Sequence, residues 1–375
     1  MAPALQGLRI IEMVGLGPAP FAAMMLADHG ADVVRVHAAH RKGDFPLLDS
    51  RFDVLARGRR SLALDLRAPG ASDLLLELVG AADGLIEGFR PGVMERMGLA
   101  PEECLRRQPR LVYGRMTGWG QQGPLARQAG HDLNYLGLTG ALHAIGPADR
   151  PPSVPLNYVA DFGGGMLLAF GMLAALLAVR GGAPGQVVDA AMVDGAGLLA
   201  AMFWGFRAGG GWSDRREGNL LDGGAYFYAT YACVDGRFLA VACVERRFHD
   251  LLVERLGLDP AVYYPRSRSC PMAGLARAAG GAVRHPAARP LGGAVRGQRR
   301  LRDARPGLAR SRPSSACGGP RGLYRRRGGD AAGAGAAPER HAGAPARRRA
   351  RSGRAFGRGA ARMGPGARAR GRRAR

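Results

Sequence analysis

None of the five cysteines in this 375-residue chain stands in a CxxC pair. Cys104, Cys233, Cys243, Cys270 and Cys317 are scattered. That argues against a paired-cysteine metal site or a disulfide scaffold, and it fits a reduced, cytoplasmic compartment. No metal cluster is visible elsewhere in the sequence, so no metal is expected. The N-terminus, MAPALQGLRIIEMVG, lacks a charged segment followed by a long apolar run, and no signal peptide is expected. The most apolar stretch, GGGMLLAFGMLAALLAVR at residues 163–180, has a continuous apolar part too short to span a bilayer comfortably. It reads as a buried helix.

Acids and lysine are what the last third lacks. Residues 261–375 hold 29 arginines, no lysine and three acids (Asp303, Asp330, Glu339), a net +26. The whole chain carries +24, so the first 260 residues are left at −2, the balance of an ordinary soluble domain. A basic excess normally points to nucleic acid or a membrane surface, and here that inference concerns the tail alone. The tail is mostly Ala, Gly, Arg and Pro. It has too little apolar surface to offset ordering entropy, and it lacks the aromatic interleaving of a single-strand stacking surface. These four residue types share GC-rich codons. Read from the second base of such codons, residues 284–307 give ATRPRDRWAALFEGSDACVTPVL, a sequence with the composition of folded protein. The tail is therefore read as a frameshifted, disordered product. No specific nucleic-acid partner and no membrane partner are expected.

What remains, about 260 residues, is long enough for one or two domains. LRIIEMV reads as a buried strand, PFAAMMLADHG as a helix closed by Gly30, and ADVVRV as a second strand. SLALDLR, the helix ASDLLLELVGA, DGLIEGF and PRLVYGRMTGWG continue the alternation. Apolar strands alternating with helices predict an α/β fold with a Rossmann-like parallel sheet. The expected organisation is a large domain over 1–200, a linker and the start of a small α+β domain over 201–260, and the tail over 261–375. The first turn, GLGPAP at residues 15–20, lacks the third glycine of GxGxxG. The next strand ends in Arg35 where a ribose-binding acid would stand. Both features argue against a dinucleotide site, while an arginine at a strand end suits a phosphate.

Two segments carry candidate chemistry. QAGHDLNYLGLTGAL sets His131 and Asp132 in a polar, glycine-flanked turn, and LNYVADFGGGMLLAFGMLAALL sets Asp161 just before three glycines and the apolar helix. A carboxylate there meets the positive end of a helix dipole and free backbone N–H groups. Each also suits a plain structural role: a satisfied turn histidine, and a helix N-cap.

Those two segments, with LRIIEMVGLGPAPFAAMMLADHGADVVRV, IEGFRPGVMERMGL and VYGRMTGWGQQGP, are collinear and resemble family III CoA-transferases of the CaiB/BaiF type. The likeness extends over about the first 255 residues, through GQVVDAAMVDG and GGAYFYATYACVDGRFLAVACVE, and is strongest to the racemase branch. It implies an isomerase that epimerises the α-carbon of 2-methylacyl-CoA thioesters, built as an interlocked homodimer, with no cofactor beyond the CoA of its substrate. It implies His131 and Asp161 as the acid/base pair, with Glu245 as partner of the histidine. It further implies Arg35, Arg90, Asp132, Gly118 and Tyr228 in the site that holds CoA and acyl chain. The transferases of the group use the matching aspartate as a nucleophile and generally lack the histidine. The family continues into a full small domain after residue 260. This chain departs from it there, and so is expected to fold poorly and to have little activity. A smaller departure is His37, where an acid is usual.

Overall fold

β1 (Arg9–Met13), β2 (Asp32–Ala38), β3 (Arg60–Leu64), β4 (Gly84–Glu87), β5 (Val112–Thr117) and β6 (Gln186–Ala191) form one sheet in the order β3-β2-β1-β4-β5-β6. Every neighbouring pair is parallel. The structure is a computed structural model, and it describes residues 2–39, 53–232 and 238–259. All of these lie in one compact unit, Met1–Tyr324; a second unit, Arg325–Arg375, and the arginine-rich tail as a whole lie outside the described residues.

The continuous apolar strands are explained by burial on both faces. On one side Ile10, Ile86, Val112 and Met116 pack with Ala22, Leu26, Leu168 and Met172. These four come from α1 (Pro18–Asp28) and α6 (Asp161–Arg180). On the other side Ile11, Leu85 and Tyr113 pack with Leu75, Val79 and Leu99, under α2 (Ala71–Gly80) and α4 (Pro101–Arg107). Adjacent residues of one strand thus serve opposite cores.

α1 begins at Pro18, two residues before the predicted start. The N–H groups that Pro18 and Pro20 lack belong to the first turn, where no helical acceptor waits for them, and Gly17 precedes them at φ 66°. β6 was not predicted as a strand. It pairs with β5 from Val112↔Gln186 to Thr117↔Ala191 and runs without a turn into α7 (Met192–Leu199), followed by α8 (Ala201–Ala208).

The three glycines of α6 are a packing device. A Cβ on Gly165 would lie 2.9 Å from the Pro18 carbonyl oxygen, and one on Gly164 would lie 2.9 Å from Met192 Cα. Their absence lets α6 press its backbone against α1 and α7 at once. The helix was expected to be buried, yet Met166, Phe170, Leu173 and Leu177 form an exposed apolar stripe on it, with Phe170 72 % exposed. Only the inner face is core. The reason lies in the layer order: the sheet, α1 and α7 cover one side of the helix, and no described residue covers the other.

Beyond α8, the strands β7 (Tyr228–Ala232) and β8 (Phe238–Ala242) pair antiparallel, and α9 (Arg246–Leu256) follows. They enclose their own cluster of Tyr226, Phe227, Tyr231, Val241, Leu252 and Val253. Together they make a small antiparallel α+β layer.

Candidate functional site

In a doubly wound sheet of this order, the chain crosses from one side to the other between β1 and β4, leaving a crevice at their carboxyl ends. Here that crevice is bordered by the loop before α1 and by residues 88–92, GFRPG. Asp161 belongs to it. A Cβ placed on Gly17 would sit 3.8 Å from Asp161 Oδ2.

α5 (Asp132–Leu138) enters the same region with His131 at its N-cap and exposed. The Asn134 side chain accepts the His131 backbone N–H at 3.0 Å, which fixes the start of the helix. Asp132, the next residue, is buried. Its Oδ2 accepts the backbone N–H groups of Ala160 at 2.7 Å and Asp161 at 2.9 Å. The first residue of α5 therefore caps α6, and two helix N-termini converge with His131 on one and Asp161 on the other.

Asp161 is half-buried, and its Oδ2 accepts a hydrogen bond from Asn157 Nδ2 at 3.1 Å. Burial raises its carboxyl above the ordinary aspartate range. The Asn157 hydrogen bond opposes that rise, the Asp132 carboxylate adds to it, and the nearby His131 pulls it back. Tyr135, one turn into α5, feels the same surroundings. Burial and Asp161 push its phenol up to about 12, against the pull of Arg90.

Gly118 lies under Tyr135, where a Cβ would come within 2.4 Å of the phenol ring. The ring stands edge-on to Trp119, centroids 4.6 Å apart, and its hydroxyl donates to the Gly130 carbonyl. The glycine makes room for the aromatic floor beside His131. Arg90 is exposed, in the loop after β4. The sequence placed Arg35 at the end of its strand, but β2 runs on to Ala38. The pleat carries Arg35 inward instead, pairing it in register with Glu12. Its Nε is 3.4 Å from Glu12 Oε2, and its Nη1 is 3.9 Å from Asp53.

Glu245 is the N-cap of α9 and exposed. No hydrogen bond or ion pair joins it to His131 among the described residues. Tyr228 opens β7, its N–H bonded to the Ala225 carbonyl. Tyr228 does not line the apolar cavity of about 320 Å³ formed by Leu136, Val159, Ala196, Phe203, Trp204 and Trp212. That cavity shares α5 with His131, and Val159 stands two residues before Asp161.

Sequence reasoning missed three features. Asn157, one turn before Asp161, is the i,i+4 partner that the spacing in LNYVAD offered. Glu12 is fully buried in β1 between Arg35 and Arg59; burial, against the pull of both arginines, pushes its carboxyl up to about 7. Glu87 and Arg115 form a second buried pair at 2.9 Å.

The family model of CoA-transferase family III matches residues 5–279, and the chain belongs to that family. Among its relatives, it is 47 % identical over 258 residues to the α-methylacyl-CoA racemase of Homo sapiens, covering 68 % of this chain and 65 % of that protein. It is 44 % identical over 256 residues to the mouse racemase, with the same coverage of each. An acetyl-CoA:oxalate CoA-transferase of Acetobacter aceti is 34 % identical over 197 residues, covering 50 % of this chain and 51 % of that one. A CaiB/BaiF family protein of Brucella suis superposes with a TM-score of 0.62 at 26 % identity, over 76 % of this chain and 79 % of the other. The chain thus spans just under two thirds of the length of the racemases it matches.

Proposed function

We propose that this chain carries the catalytic half of a racemase acting at the α-carbon of 2-methylacyl-CoA thioesters. The observation that carries the reading is the convergence of His131 and Asp161 on two helix N-termini joined by Asp132. The likeness to α-methylacyl-CoA racemases supports it.

Inversion requires a proton removed from one face of the α-carbon and another delivered to the opposite face. A neutral His131 imidazole takes the proton while a protonated Asp161 donates one, and the reverse direction exchanges the roles. The raised Asp161 carboxyl suits this work. His131 beside Asp161 supplies the second acid/base group that proton transfer needs and acyl transfer does not. The enolate oxygen needs donors. The Ala160 and Asp161 N–H groups are already taken by Asp132, so the donors come from other N–H groups in the first turns of α5 and α6.

The acyl chain lies in the cavity under Leu136 and Val159, and the CoA phosphates lie toward Arg90 and Arg35. Glu245 acts as partner of His131, and the working unit is a cytoplasmic homodimer needing nothing beyond the CoA of its substrate.

The test is deuterium uptake at the α-carbon of a 2-methylacyl-CoA in heavy water. Uptake that is lost in both His131→Ala and Asp161→Asn supports the proposal. An acyl adduct on Asp161, trapped by hydroxylamine and still formed in His131→Ala, would make the chain a CoA-transferase instead.

A further inference from the structure

The loop that bears Arg90 is held from both ends by one buried side chain. Glu87 is the last residue of β4, and its register partner on β5 is Arg115. Arg115 Nε donates to Glu87 Oε1 at 2.9 Å, and its Nη1 lies 2.9 Å from Oε1 of Glu95. Glu95 stands in α3 (Val93–Arg96), just past the loop. The other oxygen of Glu87 accepts the Phe89 N–H at 2.7 Å, inside the loop itself. Gly88, Phe89, Arg90, Pro91 and Gly92 are therefore bracketed by two carboxylates that share a single guanidinium.

The remaining constraints act in the same direction. The Val93 N–H closes a turn on the Arg90 carbonyl, and Gly92 takes φ 86°. Burial pushes the Glu87 carboxyl up, against the Phe89 and Arg115 hydrogen bonds. For Glu95, burial alone would raise the carboxyl, but the Arg115 hydrogen bond and charge together with backbone hydrogen bonds hold it below the usual range. The loop borders the crevice: a Cβ on Gly88 would lie 3.0 Å from the Cβ of Ala19, two residues after the Gly17 that faces Asp161.

We infer that Arg115 is the positioning residue of the CoA site: by gripping Glu87 and Glu95 it sets the five-residue loop so that Arg90 meets a phosphate of the CoA nucleotide. Arg115 itself touches no substrate. A planar guanidinium with diverging N–H groups can hold two carboxylates at once. A lysine ammonium offers one compact charge in place of that fork. The inference rests on the CoA-thioester reading given above.

The experiment titrates CoA into the full chain by calorimetry, with wild type, Arg90→Ala, Glu95→Gln, Arg115→Lys and the double variant Arg90→Ala/Glu95→Gln. Glu95→Gln and Arg115→Lys are expected to weaken CoA binding about tenfold, as a displaced binding group does. The double variant is expected to bind no more weakly than Arg90→Ala alone, because both changes remove one interaction. In the deuterium-uptake assay, KM rises by the same factor while kcat stays within about twofold. Glu95 is partly exposed, so its variant keeps the fold and decides the matter even where Arg115→Lys does not fold. Wild-type CoA affinity in Glu95→Gln, or losses that add in the double variant, would overturn the role of Arg115 and leave the thioester reading standing. A wild-type chain that takes up no CoA would overturn both.

Discussion

Replacing Asp132 by alanine removes the acceptor that joins the two helix starts. Its Oδ2 receives two backbone N–H groups at 2.7 and 2.9 Å, and the Ala160 group is fully buried. Hydrogen bonds to a charged acceptor contribute about 1.5–3 kcal/mol each. Against this, Oδ1 of Asp132 is buried without a protein partner, and removing such a group returns about 1–3 kcal/mol. Taking the middle of each range, the net loss is about 2.5 kcal/mol, or roughly 5–10 °C in Tm for a unit of this size. Urea and thermal unfolding of the full chain measure it. Asp132→Asn keeps an acceptor and is expected to retain most of that stability. It also removes a negative neighbour of Asp161, so the Asp161 carboxyl shifts downward, which carbon-13 NMR of labelled aspartate reads directly. An Asp132→Ala protein within about 0.5 kcal/mol of wild type would refute the reasoning, because surface substitutions away from structural features stay inside that range.

Gly164→Ala forces a Cβ to within 2.9 Å of the α7 backbone and is expected to destabilise by about 1–3 kcal/mol in urea unfolding. Gly118→Ala must displace the Tyr135 ring and is expected to lower deuterium uptake about tenfold or more, since small misplacements near the reacting groups cost that much. Asp161 has a folded pKa raised above its ordinary value of 3.8. The folded state therefore binds more protons than the unfolded state as pH rises from that value through the folded pKa, and stability falls across that window. Asp161→Asn removes the penalty, so it is expected to be more stable than wild type at pH 7 and to lose that advantage near pH 3.5, measured by unfolding at both pH values.

The strands and helices that alternate in the first 120 residues are legible because each is a contiguous run with one period. β6 was missed because QVVDAA passes directly into α7, with no turn residue to mark its end. His131 and Asp161 were visible as unusual residues in their own turns. What joins them was not visible, since a carboxylate capping a helix 28 residues later leaves no local pattern. Glu12 shows the same limit from the other side. An acid inside LRIIEMV reads as a blemish in an apolar strand until Arg35 and Arg59, 23 and 47 residues later, arrive to surround it. Arg115 was likewise read only as part of the PRLVYGRMTGWG strand, because its partners sit on a neighbouring strand and on a helix between the two.

The order in which the chain emerges during synthesis gives the α6–α7 contact a further meaning. A nascent polypeptide folds from its N-terminal side as it appears. Every side chain at the crevice, from Gly17 to Asp161, has been made by residue 161. The helix bearing Asp161 is seated only when Met192 and Gly195 of α7 meet its glycines, and the sheet edge closes with β6 just before. By about residue 200 the ribosome has supplied all the backbone that fixes His131 relative to Asp161. All the backbone that frames that pair is therefore synthesised before the first of the arginine codons past residue 260.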